Sequence, residues 1–183
     1  MSPFACLATL SLALASLSSP AAAMSIPGHH NHGAAVEAPV VPSWTQFLQA
    51  HNDARAAVGV PPLTWNWTIE LDARKYANEL RVPCSLSPIV AWPADRVYGR
   101  NLYWATGHHA AAHAAAAWVD ERRWYDHAAN ACAQGKTCGD YTQVVWNTTT
   151  QLGCARRTCR NGLDTVAVCE YFPPGNYVGE LPY

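Results

Sequence analysis

The chain has almost no net charge, with 12 Lys and Arg against 13 Asp and Glu, and only 14% of its residues are charged. That balance argues against nucleic acid or an anionic membrane surface as the main partner, and so low a charge content is unusual for a cytosolic domain. No serine follows Ser87 and no Gly-x-Ser-x-Gly occurs, so an activated serine nucleophile is not supplied by the later half. No glycine-rich loop follows a strand pattern, which excludes a nucleotide site. There is no C-x-x-C pair with zinc-finger spacing. Internal repeats are missing, and after the first 23 residues no apolar run could span a bilayer.

What is present begins with an apolar run, Phe4 to Leu17, ending near Ser18-Ser19-Pro20-Ala21-Ala22-Ala23. It is too short for a membrane span and, although it lacks a basic start, reads as a secretory signal peptide over residues 1–23. Residues 24–42 contain Pro, Gly, Ala and His29-His30-Asn31-His32 without an apolar period. They read as a flexible lead-in, with nothing to fix the histidines as metal ligands. Residues 43–183 form one domain. Cys6 leaves with the signal, and Cys84, Cys132, Cys138, Cys154, Cys159 and Cys169 remain. An even number in a secreted chain implies three disulfides, with about 15 connectivities open from sequence alone.

Ser43-Trp44-Thr45-Gln46 has capping-box spacing and opens a helix that Gly59 and Pro61-Pro62 stop. His51 lies on its apolar stripe, as a hydrogen-bonded core histidine. A second helix spans Thr68 to Arg81, with Ile69, Ala73, Tyr76, Ala77 and Leu80 on one face. Cys84 to Gly107, with Pro88 and Pro93, reads as irregular. An Ala-rich helix follows from His109 to Arg123, carrying His109 and His113 as a solvent-facing pair one turn apart. Trp124 to Cys138 is a loop pinched by a Cys132–Cys138 bridge. Tyr141 to Trp146, aromatic and β-branched, reads as the central strand, with Asp140 at its start. Gln151 to Ala155 and Thr165 to Tyr171 are two further strands. Asn66-Trp67-Thr68 and Asn147-Thr148-Thr149 are glycosylation sequons.

Five ordered motifs are similar to those of the CAP superfamily. They are Ala50-His51-Asn52-x-x-Arg55, Trp118-Val119-Asp120-Glu121, Tyr141-Thr142-Gln143-Val144-Val145-Trp146, Leu152-Gly153-Cys154 and Pro174-Gly175-Asn176. The family takes in cysteine-rich secretory proteins, insect antigen 5 and plant class 1 pathogenesis-related proteins. The Pro-Gly-Asn tail, Tyr98 to Trp104 and Gly139-Asp140-Tyr141 resemble the plant branch, pistil-type members in particular. The resemblance implies an α+β fold, an α-β-α sandwich around a small, mainly antiparallel sheet. It also implies the disulfides Cys84–Cys159, Cys132–Cys138 and Cys154–Cys169.

Relatives carry a cleft of two His and two Glu that can hold a divalent metal. Here Glu121 matches one Glu, Arg100 replaces the other, and Asp140 stands for one His. The second His would fall near Pro88, and no histidine lies between Glu79 and Thr106. Loss of both imidazoles implies no metal and no cofactor, and Arg100 is expected to form an ion pair between Glu121 and Asp140. The resemblance thus implies a secreted, apoplastic, monomeric and non-enzymatic protein of plant defence type. Its expected ligand is a sterol or other lipid bound through the Trp124–Cys138 loop, with Trp124 and Tyr125 as candidates, and an extracellular pathogen target or receptor is a further candidate partner. The alternative is a precursor from which an 11-residue defence peptide, Pro173 to Tyr183, is cut; Glu170 departs from the Asn usual in that motif.

Overall fold

The computed structural model describes residues 41–86 and 97–183. The signal peptide, the histidines at 29, 30 and 32, and the surroundings of Pro88 lie outside the described residues.

Helix α1, Ser43–Ala56, buries Phe47, His51, Ala54 and Arg55. Ser43 is its first residue rather than its cap. The expected capping box does not form, because Thr45 and Gln46 turn back onto the carbonyls of Pro42 and Val41. A short strand β1, Thr64–Trp65, leads into α2, Trp67–Leu80. Asn66 caps α2, its Oδ1 accepting from Thr68 N at 2.8 Å and Ile69 N at 3.3 Å.

The segment read as irregular contains strand β2, Gly99–Ala105. Helix α3, Ala111–Asp120, runs into a 3-10 turn, Glu121–Trp124, and a small hairpin of β3, Tyr125–Asp126, and β4, Ala131–Cys132. His109 therefore precedes α3 instead of lying on it. Its Nε2 donates to Thr106 O and its ring lies 4.4 Å from that of His113.

The central stretch is a correction. Gly139–Val144 is a helix, α4, and not a strand. Its aromatic and β-branched residues favour strand locally, but a carboxylate from elsewhere in the chain supplies the acceptors for its first turn. Tyr141, Gln143, Val144, Val145 and Trp146 are buried all the same.

Strands β5, Gln151–Thr158, and β6, Thr165–Phe172, complete a sheet in the order β1-β5-β6-β2. β1 pairs parallel to β5, and the other pairs are antiparallel. Ala167, Cys169 and Tyr171 of β6 pack with Phe47, Trp118 and Val144 on one face. Val166 and Val168 alternate with them and meet Ala73, Ala77 and Leu80 of α2 on the other. This is the α-β-α sandwich. At Gly153 an added Cβ would come within 2.2 Å of the backbone of Glu70, so glycine there lets α2 lie directly on β5.

The disulfides are Cys84–Cys159, Cys132–Cys138 and Cys154–Cys169. Two buried polar side chains tie the layers together. Tyr171 O–H donates to Nε2 of His51, whose Nδ1–H donates to Phe47 O. Burial lowers the His51 pKa to about 4, so the ring is neutral. Arg55 is fully buried and donates to the carbonyls of Pro61, Val144, Trp146 and Thr149. Burial lowers its pKa to about 10, which still leaves it charged at neutral pH.

Candidate ligand-binding site

Two hollows meet at the start of α4. The first is a cleft of 490 Å3 lined by Arg100, Glu121, Thr137, Cys138, Gly139, Asp140 and Asn176. The carboxylate of Glu121 holds the α4 terminus. Its Oε2 accepts from the backbone N–H of Asp140 at 2.9 Å and of Tyr141 at 3.2 Å, and its Oε1 accepts from Thr137 Oγ1 at 2.8 Å. Asp140 stands beside it. Desolvation, with the Glu121 charge adding to it, raises the Asp140 pKa from 3.8 to about 7.

Arg100 does not form the expected ion pair with Glu121 and Asp140. Its guanidinium is bonded to Glu170, with Nε at 2.9 Å from Oε1, and lies 3.9 Å over the Tyr76 ring of α2. The cause is strand alternation. Arg100 is directly opposite Glu170 in the β2–β6 ladder, and side chains of adjacent residues leave opposite faces. Asn101, the next residue, points the other way and donates to Asp140 O at 2.9 Å. Two of the departures from the family motifs, Arg100 and Glu170, are thus one cross-strand pair.

The second hollow is a groove of 340 Å3 between the hairpin and residues 173–183. Tyr125, Trp146, Tyr177 and Pro182 supply apolar surface, and Asn130, Thr142, Asn176 and Glu180 supply polar groups. The segment after β6 is seated by many contacts. Thr149 Oγ1 donates to Pro173 O, Gly175 N to Gln143 Oε1, and Asn147 N to Pro182 O. Asn176, with a positive φ of 61°, accepts from Thr142 Oγ1 and donates to Gly139 O. Gly175 is required because an added Cβ would meet the Trp146 ring at 2.5 Å. At the far end, the Tyr183 ring stacks on His127 at 4.2 Å.

The two loop candidates separate. Tyr125 lines the groove and donates to Asn130 Oδ1 at 2.7 Å. Trp124 has Arg123 and Lys136 over its ring, at 5.0 and 4.5 Å, and is not part of the groove lining. Trp146 and Tyr177 were not singled out as ligand contacts. A strand over 141–146 gives no cue that Trp146 reaches the groove, whereas the helix Gly139–Val144 leaves it there. Of the sequon residues, Asn147 is exposed, whereas Asn66 is half-buried and its Nδ2 donates to Gln151 Oε1 at 2.6 Å.

Residues 48–171 match the CAP family, described as the cysteine-rich secretory protein family. The chain belongs to it. This CAP protein is 48% identical over 142 residues to pathogenesis-related protein 1A of Nicotiana tabacum, covering 77% of this chain and 81% of the relative. It is 43% identical over 155 residues to pathogenesis-related protein 1 of Arabidopsis thaliana, covering 82% and 91%. Na-ASP-1 shares the fold, with a TM-score of 0.63 and 22% identity over 80% of this chain and 46% of that one. Venom allergen-like protein 4 of Schistosoma mansoni has a TM-score of 0.58 and 25% identity, covering 79% and 95%. The CAP protein is of the plant defence type, and its three disulfides accord with an extracellular location. Among the described residues no helix is long and apolar enough to cross a membrane.

Proposed function

We infer that this CAP protein is a secreted, non-enzymatic defence protein that binds a sterol or other lipid in the groove between the hairpin and residues 173–183. The observation that carries the reading is the convergence of Tyr125, Trp146, Tyr177 and Pro182 on one hollow with polar groups at its border. Ligand pockets are mostly apolar concavities of about 300–1,000 Å3 with a few placed polar groups, and 340 Å3 falls at the lower end. A flat apolar ring system would lie against the aromatic rings, while Asn130 or Asn176 would bond its hydroxyl.

The cleft supports the non-enzymatic part. Both oxygens of Glu121 already accept hydrogen bonds, and Asp140 is readily protonated near neutrality. Among the described residues no three His, Cys, Asp or Glu side chains converge. One carboxylate held by backbone donors beside another whose pKa is raised does not fit zinc or copper, which favour imidazole. Titration of the purified, glycosylated protein with sterols and fatty acids tests the reading; saturable binding supports it, and its absence with every lipid rejects it.

The precursor reading needs a further step. Phe172 still pairs with Gln151, and Thr150 N donates to Phe172 O. The bond before Pro173 is therefore held in the ladder, and residues 173–183 must leave their seat before release. Recovery of free Pro173–Tyr183 from extracellular fluid of stressed tissue would establish this alternative; recovery of the uncut segment alone would reject it.

A further inference from the structure

A third hollow, along β5 between the starts of α1 and α2, has a different chemistry. It encloses 200 Å3 and is walled by Trp44 and Trp67 together with Arg74, Arg156 and Arg157. Trp65 completes a cluster of three indoles, with centroids 5.7–6.1 Å apart. Trp67 is 59% exposed, so this apolar surface is open to solvent at the end of α2.

One carboxylate, Glu70, lines the groove with the three arginines; Arg157 leaves β5 on the α2 face, where Glu70 and Arg74 sit, and Arg156 leaves it on the opposite face. Glu70 is 5% exposed and already takes the indole N–H of Trp65 at 3.0 Å and the guanidinium of Arg74. Arg156 is fixed by a bond from Nη1 to His109 O at 2.8 Å. Arg157 is fixed by bonds from Nε to Asn78 Oδ1 and from Nη1 to Arg156 O. These bonds orient the two forks, and the Nη2 groups of both have no acceptor among the described residues. The Arg157 pKa is lowered by burial and then by the charges of Arg74 and Arg81. An anion placed there would relieve that repulsion. In a chain of formal net charge −1, this is a local concentration of positive charge beside exposed indoles.

We propose that the groove of Trp44, Trp67, Arg74, Arg156 and Arg157 binds an acidic oligosaccharide, a chain of uronic acid units. The guanidinium fork matches a carboxylate in two parallel hydrogen bonds, and the C–H face of a pyranose ring packs on an indole. Nucleic acid fits less well. Its affinity comes from many phosphate contacts along a basic track, and here the basic surface is a single compact groove on a chain without net positive charge. The inference is independent of lipid binding, which uses other residues.

The test measures binding of a free-acid oligogalacturonide to the full secreted protein by calorimetry. Comparison ligands are the same oligomer fully methyl-esterified, a neutral cello-oligosaccharide and single-stranded RNA of equal charge. Glycosylated and enzymatically deglycosylated protein are both used, because Asn66 lies between two of the tryptophans. Binding of the free acid by either form, weakening with salt and at least about tenfold tighter than the esterified oligomer, is expected. Trp67→Ala and Arg157→Gln should each weaken it about tenfold, with unfolding temperatures near the parent's showing that both fold. Equal binding of the esterified oligomer overturns the proposal. So does RNA binding as tight as the acid with no effect of Trp67→Ala, which would mark a generic anion surface, and so does no binding by either form.

Discussion

The cleft and the hairpin groove share Cys138, Gly139 and Asn176 as a common wall, yet they are built from opposite materials. The cleft holds two neighbouring carboxylates, and one of them is committed to the first turn of α4. The groove holds the rings of Tyr125, Trp146 and Tyr177 together with the polar side chains of Asn130, Thr142 and Asn176. In the cleft Glu121 holds the α4 terminus; in the groove apolar rings line a hollow. The lesson is that a residue matching a family motif can be committed to the fold, as Glu121 is by the backbone N–H groups at the start of α4.

The largest effect should come from cutting the support under both hollows. Arg55→Met takes the guanidinium from three buried carbonyls, those of Val144, Trp146 and Thr149, of which only Trp146 O keeps a second donor, Thr149 N. At about 1–3 kcal/mol for each unsatisfied group, a loss on the order of 4 kcal/mol is expected in urea unfolding. A loss below 1 kcal/mol would show that water replaces the guanidinium.

Next is Glu121→Ala, which removes three accepted hydrogen bonds from the α4 terminus. It should cost about 2–3 kcal/mol, since bonds to a charged group are the stronger kind. An unchanged stability would contradict the structural role of Glu121.

Asp140 acts in the opposite sense. Its folded pKa, about 7, lies above the unfolded value of 3.8, so its contribution is greatest below about pH 4 and declines as pH rises through 7. His51 has a folded pKa of about 4 against 6.5, and its contribution is lost as pH falls from 6.5 through 4. Between pH 4 and 6.5 these two slopes cancel, and the Glu170 carboxyl, raised by burial, adds in the sense of Asp140. Asp140→Asn should therefore stabilise the protein by about 2 kcal/mol at pH 8 and make stability rise with pH between 4 and 6.5. Denaturant titrations across this range check both signs, and a parallel profile in variant and parent would refute the assignment.

The smallest effect is expected at Trp124. Capped by Arg123 and Lys136 and outside the groove lining, its replacement by Ala should change lipid affinity by less than about twofold. A large loss would move the binding surface outward along the hairpin.

Much of the fold was legible because helical periodicity in 43–56, 67–80 and 111–120 is set by each segment's own apolar residues. β5 and β6 were likewise visible as runs between turns, and the disulfide pairing came with the family resemblance. The errors share one cause, the dependence of a segment on distant residues. α4 is six residues long, and its helical first turn needs Glu121, far upstream. β2 was obscured because Gly99, Arg100 and Asn101 are weak strand formers alone, yet β6 pairs all of them. Missing β2 also hid the Arg100–Glu170 pair, which register alone would have revealed. The groove was half legible: Tyr125 was named, but Trp146 reaches the hollow only because 141–146 is not a strand.

The central claim, that ligand binding belongs to the groove and not to the cleft, is tested most directly by sterol titration of three variants against the parent. Tyr125→Ala and Tyr177→Ala remove aromatic walls of the groove, while Asp140→Asn alters the cleft by a single charge. Affinity should fall about tenfold for each tyrosine variant, as expected for truncating a contact aromatic, and stay unchanged for Asp140→Asn. Loss of binding in Asp140→Asn with full binding in both tyrosine variants would contradict the account.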